Sequence, residues 1–155
     1  MKNVKMICFD MDGTIANLYG IENWEQQLNN ENPAPYANAK PMWNMKKLNK
    51  VLKKLQAKNI EIRVVTWLAM NSTVEFKEQT RKAKIEWLEK YNFPYDNFHG
   101  VQYGTTKADT VRKYLAENEC AILIDDNDKI RNGWNLGETI NPAKCDIIKM
   151  LKNLL

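Results

Sequence analysis

Strand-like and helix-like segments alternate along the whole chain, and this alternation constrains the fold more than any other feature of the sequence. Short apolar runs typical of buried strands occupy residues 4–9, 60–66, 97–102 and 121–124. Between and after them, apolar residues recur at helical spacing over residues 40–58, 72–91, 105–115 and 143–155. Strands that alternate with helices form parallel β-α-β units. We therefore predict an α/β fold, a doubly wound three-layer sandwich with a mainly parallel sheet.

The length of 155 residues fits a single core, since domains usually hold about 100–200 residues. An irregular stretch rich in Asn and Pro separates the first strand from the first core helix, at about residues 15–41. We predict one domain over residues 1–155, with this stretch as a small cap insertion that includes a short helix near residues 21–28. Every apolar run is shorter than the roughly 18 residues of a membrane span, and no signal-peptide pattern opens the sequence, so we expect a cytoplasmic protein.

Acidic residues follow two of the predicted strands. Asp10 and Asp12 come directly after the first strand, and Asp125 and Asp126 come directly after the last. Ligands of open α/β sheets bind beyond the carboxyl ends of the strands. If these two strands are neighbours, four carboxylates converge, and each pair of charges at about 4 Å repels by roughly 4 kcal/mol at an effective dielectric constant near 20. Such a cluster favours a cation, and ligands that are all oxygen atoms suit Mg²⁺.

Other residues near the same edge suit a phosphorylated ligand. Gly13 and its small neighbours would expose backbone N–H groups to an anion, and Thr66 ends the second strand with a hydroxyl group. Lys107, at the start of a predicted helix, supplies a movable positive charge. Trp67 follows Thr66 and is a candidate to line the substrate pocket. Together these residues predict a phosphoryl-transfer site.

Four motifs follow one another over residues 9–126, about three quarters of the chain. They are Phe9-Asp10-Met11-Asp12-Gly13-Thr14, Val64-Val65-Thr66, Lys107, and Ile122-Leu123-Ile124-Asp125-Asp126. In this order they resemble the four signatures of the haloacid dehalogenase (HAD) superfamily of phosphotransferases. The resemblance implies a Rossmann-like core and a Mg²⁺-dependent phosphatase.

The resemblance also implies a role for each matching residue. Asp10 would be the nucleophile that forms an aspartyl-phosphate. Asp12 would be the acid that protonates the leaving oxygen and then the base that activates water. Thr66 would hold a phosphoryl oxygen, and Lys107 would offset the charge of the nucleophile and the phosphate.

For the metal, the resemblance implies three ligands: Asp10, the main-chain carbonyl of Asp12, and one of the paired acids. We favour Asp126 as the direct ligand and Asp125 as the partner that orients Lys107. The reverse assignment of the two acids stays open.

The identity of the substrate depends on the cap. The pattern D-M-D-G-T-I-A-N, followed by an insertion with Tyr19, Trp24 and Tyr36, is similar to the 5′(3′)-deoxyribonucleotidases, which implies a small substrate such as a (deoxy)nucleoside monophosphate. The aromatic residues would then stack on a base or sugar, or else form an apolar plug that anchors the insertion. A cap this short also leaves the site open to a larger substrate, such as a nucleic-acid end or a phosphoprotein.

Other function classes fit less well. The chain has one serine, Ser72, expected to cap a helix, and one histidine, His99, expected in a surface loop, so a serine hydrolase is excluded. P-loop and dinucleotide-binding motifs are absent from the sequence. A signalling receiver domain uses similar residues but carries its acidic pair after the first strand. A catalytically silent relative that binds a phosphorylated partner stays an alternative.

Overall fold

A computed structural model describes residues 1–70 and 72–155 of the chain. The strands are β1 (Asn3–Phe9), β2 (Ala16–Asn17), β3 (Lys40–Pro41), β4 (Glu61–Trp67), β5 (Asn97–Val101), β6 (Glu119–Ile124) and β7 (Thr139–Ile140). The helices are α1 (Trp24–Asn29), α2 (Ala34–Asn38), α3 (Met45–Ala57), α4 (Val74–Lys90), α5 (Lys107–Arg112), α6 (Asp128–Asn132) and α7 (Ile147–Lys152), with a 3-10 turn at Leu18–Gly20. Among the described residues, no helix is long and apolar enough to cross a membrane.

The main sheet has five strands in the order β5-β4-β1-β6-β7, and every pair is parallel. The four predicted strands correspond to β1, β4, β5 and β6, and β7 is a two-residue addition at the edge. In the register of the sheet, Phe9 lies between Val64 of β4 and Ile124 of β6. The first and last predicted strands are therefore neighbours, and the segments that follow them emerge side by side.

Apolar side chains cover both faces of the sheet, as expected for buried parallel strands. On β1, Ile7 and Phe9 pack into a cluster that includes residues of α3, α4 and α7. The intervening Met6 and Cys8 point to the opposite face, where they pack with residues of α5. This arrangement confirms the predicted doubly wound, three-layer α/β fold.

Two long helices begin later than predicted because side-chain caps set their starts. Asn44 accepts a hydrogen bond from the Lys47 N–H, so α3 begins at Met45 rather than at residue 40. Thr73, not Ser72, caps α4 by accepting from the Phe76 N–H. The Ser72 hydroxyl donates instead to the Ala69 carbonyl oxygen, which removes it from the capping position.

The shorter helices are also trimmed relative to the predictions. The predicted helices 105–115 and 143–155 are reduced to the six residues each of α5 and α7, and Asp146 caps the second of them.

His99 was predicted in a loop but lies within β5, half-buried, with its Nε2 3.0 Å from Nη1 of Arg63.

The insertion forms a small cap that is fastened to α4. The antiparallel pair of β2 and β3 closes its base, and the predicted helix near residues 21–28 is α1. Leu18 and Tyr36 of the cap pack with Ala83 of α4. The Glu31 carboxylate accepts a hydrogen bond from the Thr73 N–H at 3.2 Å. Burial of Tyr36 at this seam fits the anchoring interpretation of the cap aromatics, whereas Tyr19 is 53% exposed.

Candidate active site

Three carboxylates meet beyond the carboxyl ends of β1 and β6. Oxygen atoms of Asp10, Asp125 and Asp126 all lie within 4.8 Å of one another. The Asp10 N–H donates to the Ile124 carbonyl oxygen at 3.0 Å, so the sheet pairing itself brings the two strand ends together. The fold therefore brings together three of the four carboxylates that the sequence predicted to converge, and Asp12 is not among them.

Lys107 sits between two of these carboxylates. Its Nζ lies 2.9 Å from Oδ1 of Asp10 and 2.8 Å from Oδ2 of Asp125, and the residue is only 3% exposed. Burial lowers the pKa of Lys107, but the carboxylates of Asp10 and Asp125 more than offset this and hold it above its usual value. The lysine is thus a fixed positive charge within the cluster.

The paired acids differ in their surroundings. Both oxygens of Asp125 are occupied, one by Lys107 and the other by the Asn127 N–H at 2.9 Å. Among residues 1–70 and 72–155, no lysine pairs with Asp126, and burial, followed by the charge of Asp10, raises its pKa to about 7. Burial and Asp10 likewise raise the pKa of Asp125, to about 6, against the opposing effect of Lys107.

These carboxylates fit a divalent cation. Three acids against one lysine leave an excess of negative charge, and in the described part of the chain Asp126 forms no salt bridge. Hard oxygen donors in this number are the ligands of Mg²⁺. Asp10 and Asp126 could hold the metal, while Asp125 is engaged in orienting Lys107.

The turn after β1 depends on Gly13. Its φ of +79° is unfavourable for other residues, and a Cβ there would lie 2.4 Å from Oδ2 of Asp126. Its N–H donates to the Ala16 carbonyl oxygen at 2.9 Å, so this amide is bonded within the turn rather than free for an anion as predicted. Gly13 therefore makes room for Asp126.

Thr14 is a site residue that the sequence reasoning missed. It is completely buried, and its hydroxyl donates to Oδ2 of Asp10 at 3.0 Å. The Trp43 indole N–H donates to the Thr14 carbonyl oxygen at 2.7 Å and holds the turn in place. The position of Thr14 directly after the D-x-D-G segment is the sequence feature that could have identified it.

Asp12 lies apart from the acidic cluster and faces β4. Its Oδ2 accepts a hydrogen bond from Nζ of Lys84 at 2.9 Å, and the same Nζ lies 2.7 Å from the Thr66 hydroxyl oxygen. Burial raises the pKa of Asp12, while Lys84 acts in the opposite direction and Asp10 adds to the rise. The two predicted residues Asp12 and Thr66 are thus brought together by a third that was not predicted.

The sequence of α4 contains a feature that could have identified Lys84. It falls on the spacing of Phe76, Thr80 and Leu88, which are all buried. A lysine in phase with a buried helical stripe must find polar partners inside the protein. The prediction of α4 considered only its apolar residues.

A cavity of about 230 Å³ opens beside Lys107 and is lined by Trp67. The Trp67 ring packs against the exposed Tyr103, with ring centroids 4.7 Å apart, and its indole N–H donates to the Thr105 carbonyl oxygen at 2.9 Å. Trp67 therefore borders a cavity whose lining includes Lys107 but none of the four aspartates, and its role as a substrate-pocket residue stays a prediction. Lys129 also lines this cavity.

No protein-family model and no curated protein matches the sequence. Among solved structures, the chain is similar to one described as the structure of the Pnkp1/Rnl/Hen1 RNA repair complex, with 16% sequence identity and a TM-score of 0.59. The match covers 90% of this chain and 42% of the other. At this identity the similarity shows a shared fold.

Proposed function

We propose that this protein is a Mg²⁺-dependent phosphomonoester hydrolase of the HAD superfamily that acts through an aspartyl-phosphate at Asp10. The observation that carries the proposal is the placement of Asp10. It contacts buried Lys107 and is surrounded by acids able to hold a cation, with Asp12 two residues further on. A nucleophilic carboxylate, a second carboxylate for proton transfer and a fixed cation are the parts that this reaction needs.

In the first step, a carboxylate oxygen of Asp10 attacks phosphorus and the bond between phosphorus and the leaving oxygen breaks. The Asp12 carboxyl gives its proton to that oxygen, and the alcohol departs. In the second step, Asp12 takes a proton from water as the water oxygen attacks phosphorus. The bond to Asp10 then breaks, inorganic phosphate leaves, and both acids return to their starting states.

The other residues stabilise the phosphoryl group. Lys107 would offset the charge that develops around Asp10, and the Thr66 hydroxyl would hold a phosphoryl oxygen. Thr14 fixes the rotamer of Asp10 through its hydrogen bond. When bound, Mg²⁺ would supply charge neutralisation between the phosphate and the carboxylates of Asp10 and Asp126.

Small nucleoside monophosphates are the first substrate class we propose. Trp67 and Lys129 border the cavity beside Lys107, and Tyr103 packs against the Trp67 ring. An aromatic side chain with a nearby cation suits a base joined to a phosphate. The exposed ring of Tyr19 lies at the Gly13 side of the cluster and offers a second surface for stacking.

Phosphorylated nucleic-acid ends are the second substrate class. Two observations favour it. The short cap, which would leave the site open to a larger substrate, is anchored on α4 by residues such as Tyr36. The structural neighbour belongs to an RNA repair complex. A net charge of +4 would also favour a polyanion.

The test is phosphate release from p-nitrophenyl phosphate, nucleoside monophosphates and a 3′-phosphorylated oligonucleotide, each with Mg²⁺ and with excess EDTA. We expect turnover that requires Mg²⁺ and falls at least about 10³-fold in Asp10→Asn, because the nucleophile is lost. Asp109→Asn, an exposed acid that pairs with Arg112, is the matched control and should match the wild type. Full activity in Asp10→Asn would contradict the proposal, and full activity in EDTA would contradict the metal assignment.

The same panel separates the two substrate classes. Preference for monophosphates, reduced by Trp67→Ala, would support the small-molecule substrate. Preference for the oligonucleotide with a steep loss of activity at high salt would support nucleic-acid ends, since contacts to a polyanion are salt-dependent.

A further inference from the structure

Lys84 is a buried cation to which the proposed reaction gives no role. The residue is 1% exposed and lies in the middle of α4. Its Nζ makes three hydrogen bonds, to Oδ2 of Asp12 at 2.9 Å, to the Thr66 hydroxyl oxygen at 2.7 Å and to the Trp67 carbonyl oxygen at 2.9 Å. An ammonium group has three donors, so all of them are used and its direction is fixed.

Two of the three partners belong to a rigid element. Thr66 and Trp67 are the last residues of β4, which is held between β1 and β5 in the sheet. Asp12, in contrast, lies in the turn after β1, and its side chain is 20% exposed. Lys84 therefore links the Asp12 carboxylate, on a turn, to the end of the neighbouring strand β4 by hydrogen bonds.

The position of the Asp12 carboxylate relative to the acidic cluster is also informative. Asp10, Asp125 and Asp126 form the acidic cluster, and Asp12 is not a member of it. The Asp12 carboxylate instead bonds to Lys84, and the same Nζ bonds to the Thr66 hydroxyl oxygen. A group that transfers protons must be held away from the metal carboxylates yet close to the phosphoryl group, and this arrangement does so.

We propose that Lys84 is a positioning residue that fixes the relative positions of the Asp12 carboxylate and the Thr66 hydroxyl for proton transfer to the leaving oxygen. The inference rests on the proposed phosphatase function, and it adds a residue from α4 to that site. The competing explanation is that Lys84 only fastens the cap, since its Nζ also lies 4.9 Å from the centre of the Tyr36 ring.

The two explanations differ in their dependence on the leaving group. An alkoxide is a poor leaving group and needs a proton from Asp12 as its bond to phosphorus breaks. p-Nitrophenolate is a weak base and leaves without this help. Misplacement of Asp12 should thus slow formation of the aspartyl-phosphate from an alkyl phosphate more than from p-nitrophenyl phosphate, and kcat/KM reports this step, whereas the later attack of water is common to both substrates. A loosened cap should lower kcat/KM for both substrates alike.

The experiment compares ethyl phosphate with p-nitrophenyl phosphate in the full chain with Mg²⁺, for wild type, Lys84→Met and Lys82→Met. Methionine keeps the length of lysine without its charge. In Lys84→Met we expect kcat/KM for ethyl phosphate to fall about 100-fold or more, and kcat/KM for p-nitrophenyl phosphate to fall less than about tenfold. Lys82 is a largely exposed lysine of the same helix, and its variant should retain wild-type rates on both. Equal losses on the two substrates in Lys84→Met would overturn the inference.

A crystal structure of Lys84→Met gives a readout that does not depend on activity. We expect the Asp12 carboxylate to move by more than about 1 Å from its place beside the Thr66 hydroxyl, a shift large enough to impair proton transfer. An unmoved Asp12 would overturn the inference even if the proposed function were wrong. Absence of turnover by the wild type would instead count against the proposed function alone.

Lys84→Gln serves as the conservative variant and replaces Lys84→Met if the latter does not fold. Its amide can donate to one of the former partners of the ammonium. We expect it to recover about tenfold of the lost kcat/KM for ethyl phosphate. A Lys84→Gln protein with the wild-type ratio of the two rates and an unmoved Asp12 would overturn the inference.

Discussion

The two sides of the site each contain one buried lysine, but the two lysines have different partners. On the β6 side, Lys107 bonds to two carboxylates, those of Asp10 and Asp125. On the β4 side, Lys84 bonds to the single carboxylate of Asp12, to a hydroxyl and to a backbone carbonyl. One lysine offsets a concentration of negative charge, whereas the other fixes the relative positions of neutral and charged groups.

The carboxylates on the two sides also differ in access to water. The side chain of Asp125 is 1% exposed, while that of Asp12 is 20% exposed. A carboxylate that reaches water can be solvated when its lysine is lost, and a sealed one cannot. The contribution of each lysine to stability should follow this difference.

The largest effect that we expect is the loss of stability in Lys107→Met. Removal of one partner from a buried ion pair costs about 3–5 kcal/mol, and here two acids lose their partner. In Lys84→Met the loss should be smaller, about 1.5–3 kcal/mol, because Asp12 can turn toward water. Urea unfolding in EDTA measures both free energies, with Lys82→Met as the exposed control.

A Lys84→Met protein less stable than Lys107→Met would contradict this comparison. It would mean that the hydrogen bonds on the β4 side contribute more to stability than charge balance on the β6 side.

Binding of Mg²⁺ should act on one side alone. At a concentration about 100 times its dissociation constant, Mg²⁺ should stabilise the wild type by about 2.7 kcal/mol. The gain should persist in Lys84→Met and increase in Lys107→Met, where the metal replaces the missing charge of the lysine. Asp126→Asn should lose most of it. Thermal unfolding with and without Mg²⁺ measures these differences, and a gain that disappears in Lys84→Met would show that the two sides are not separate.

The sequence predicted the β6 side better than the β4 side for physical reasons. Asp125 and Asp126 follow a continuous apolar run, and Lys107 begins a helix after a polar turn, so the positions of all three at the strand edge follow from the fold class. Lys84 reaches the same edge from the middle of α4. Its position depends on the rotation of that helix against the sheet, which depends on tertiary packing.

The same distinction explains the errors in the elements. The long core strands were predicted because their apolar runs are continuous. Their order in the sheet was not predicted, apart from the condition that the first and last strands are neighbours, because parallel pairing alone allows several orders. The two-residue strand β7 and the starts of α3 and α4 were not predicted correctly. The starts of α3 and α4 depend on single hydrogen bonds accepted by Asn44 and Thr73, and neighbours such as Ser72 are equally suitable caps. Strand β7 has only two residues, too few to give a pattern in the sequence.

Gly13 lies beside the acidic cluster and offers a smaller, more local test. Gly13→Ala should cost about 1–2 kcal/mol from its positive φ and should also reduce the Mg²⁺ gain, because the new Cβ meets Asp126. Gly104 is the matched control, since it has a φ of +86° and no described atom within 4 Å of a new Cβ. Gly104→Ala should show the conformational cost with an unchanged Mg²⁺ gain. An equal loss of that gain in both variants would show that backbone strain, not contact with Asp126, is responsible.

The smallest effect concerns the far edge of the sheet, where His99 packs against Arg63. Burial lowers the pKa of His99, and the charges of Arg63 and Lys113 lower it further. The histidine is therefore neutral in the fold, and its contribution is present above its unfolded pKa of about 6.5 and is lost as the pH falls through its lower folded value. Asp125 and Asp126 have raised pKa values, so their contribution in this range has the opposite sign.

Comparison of the wild type with His99→Gln separates the two contributions, because the variant retains the acids of the acidic cluster. Between pH 7 and pH 5 the wild type should lose stability relative to the variant, by less than about 1 kcal/mol because His99 is only half-buried. Urea unfolding at both pH values in EDTA measures this difference. A relative gain in stability for the wild type on acidification would mean that His99 is protonated in the folded protein. The pH dependence at the edge strand would then have the same sign as that of Asp125 and Asp126, contrary to the comparison.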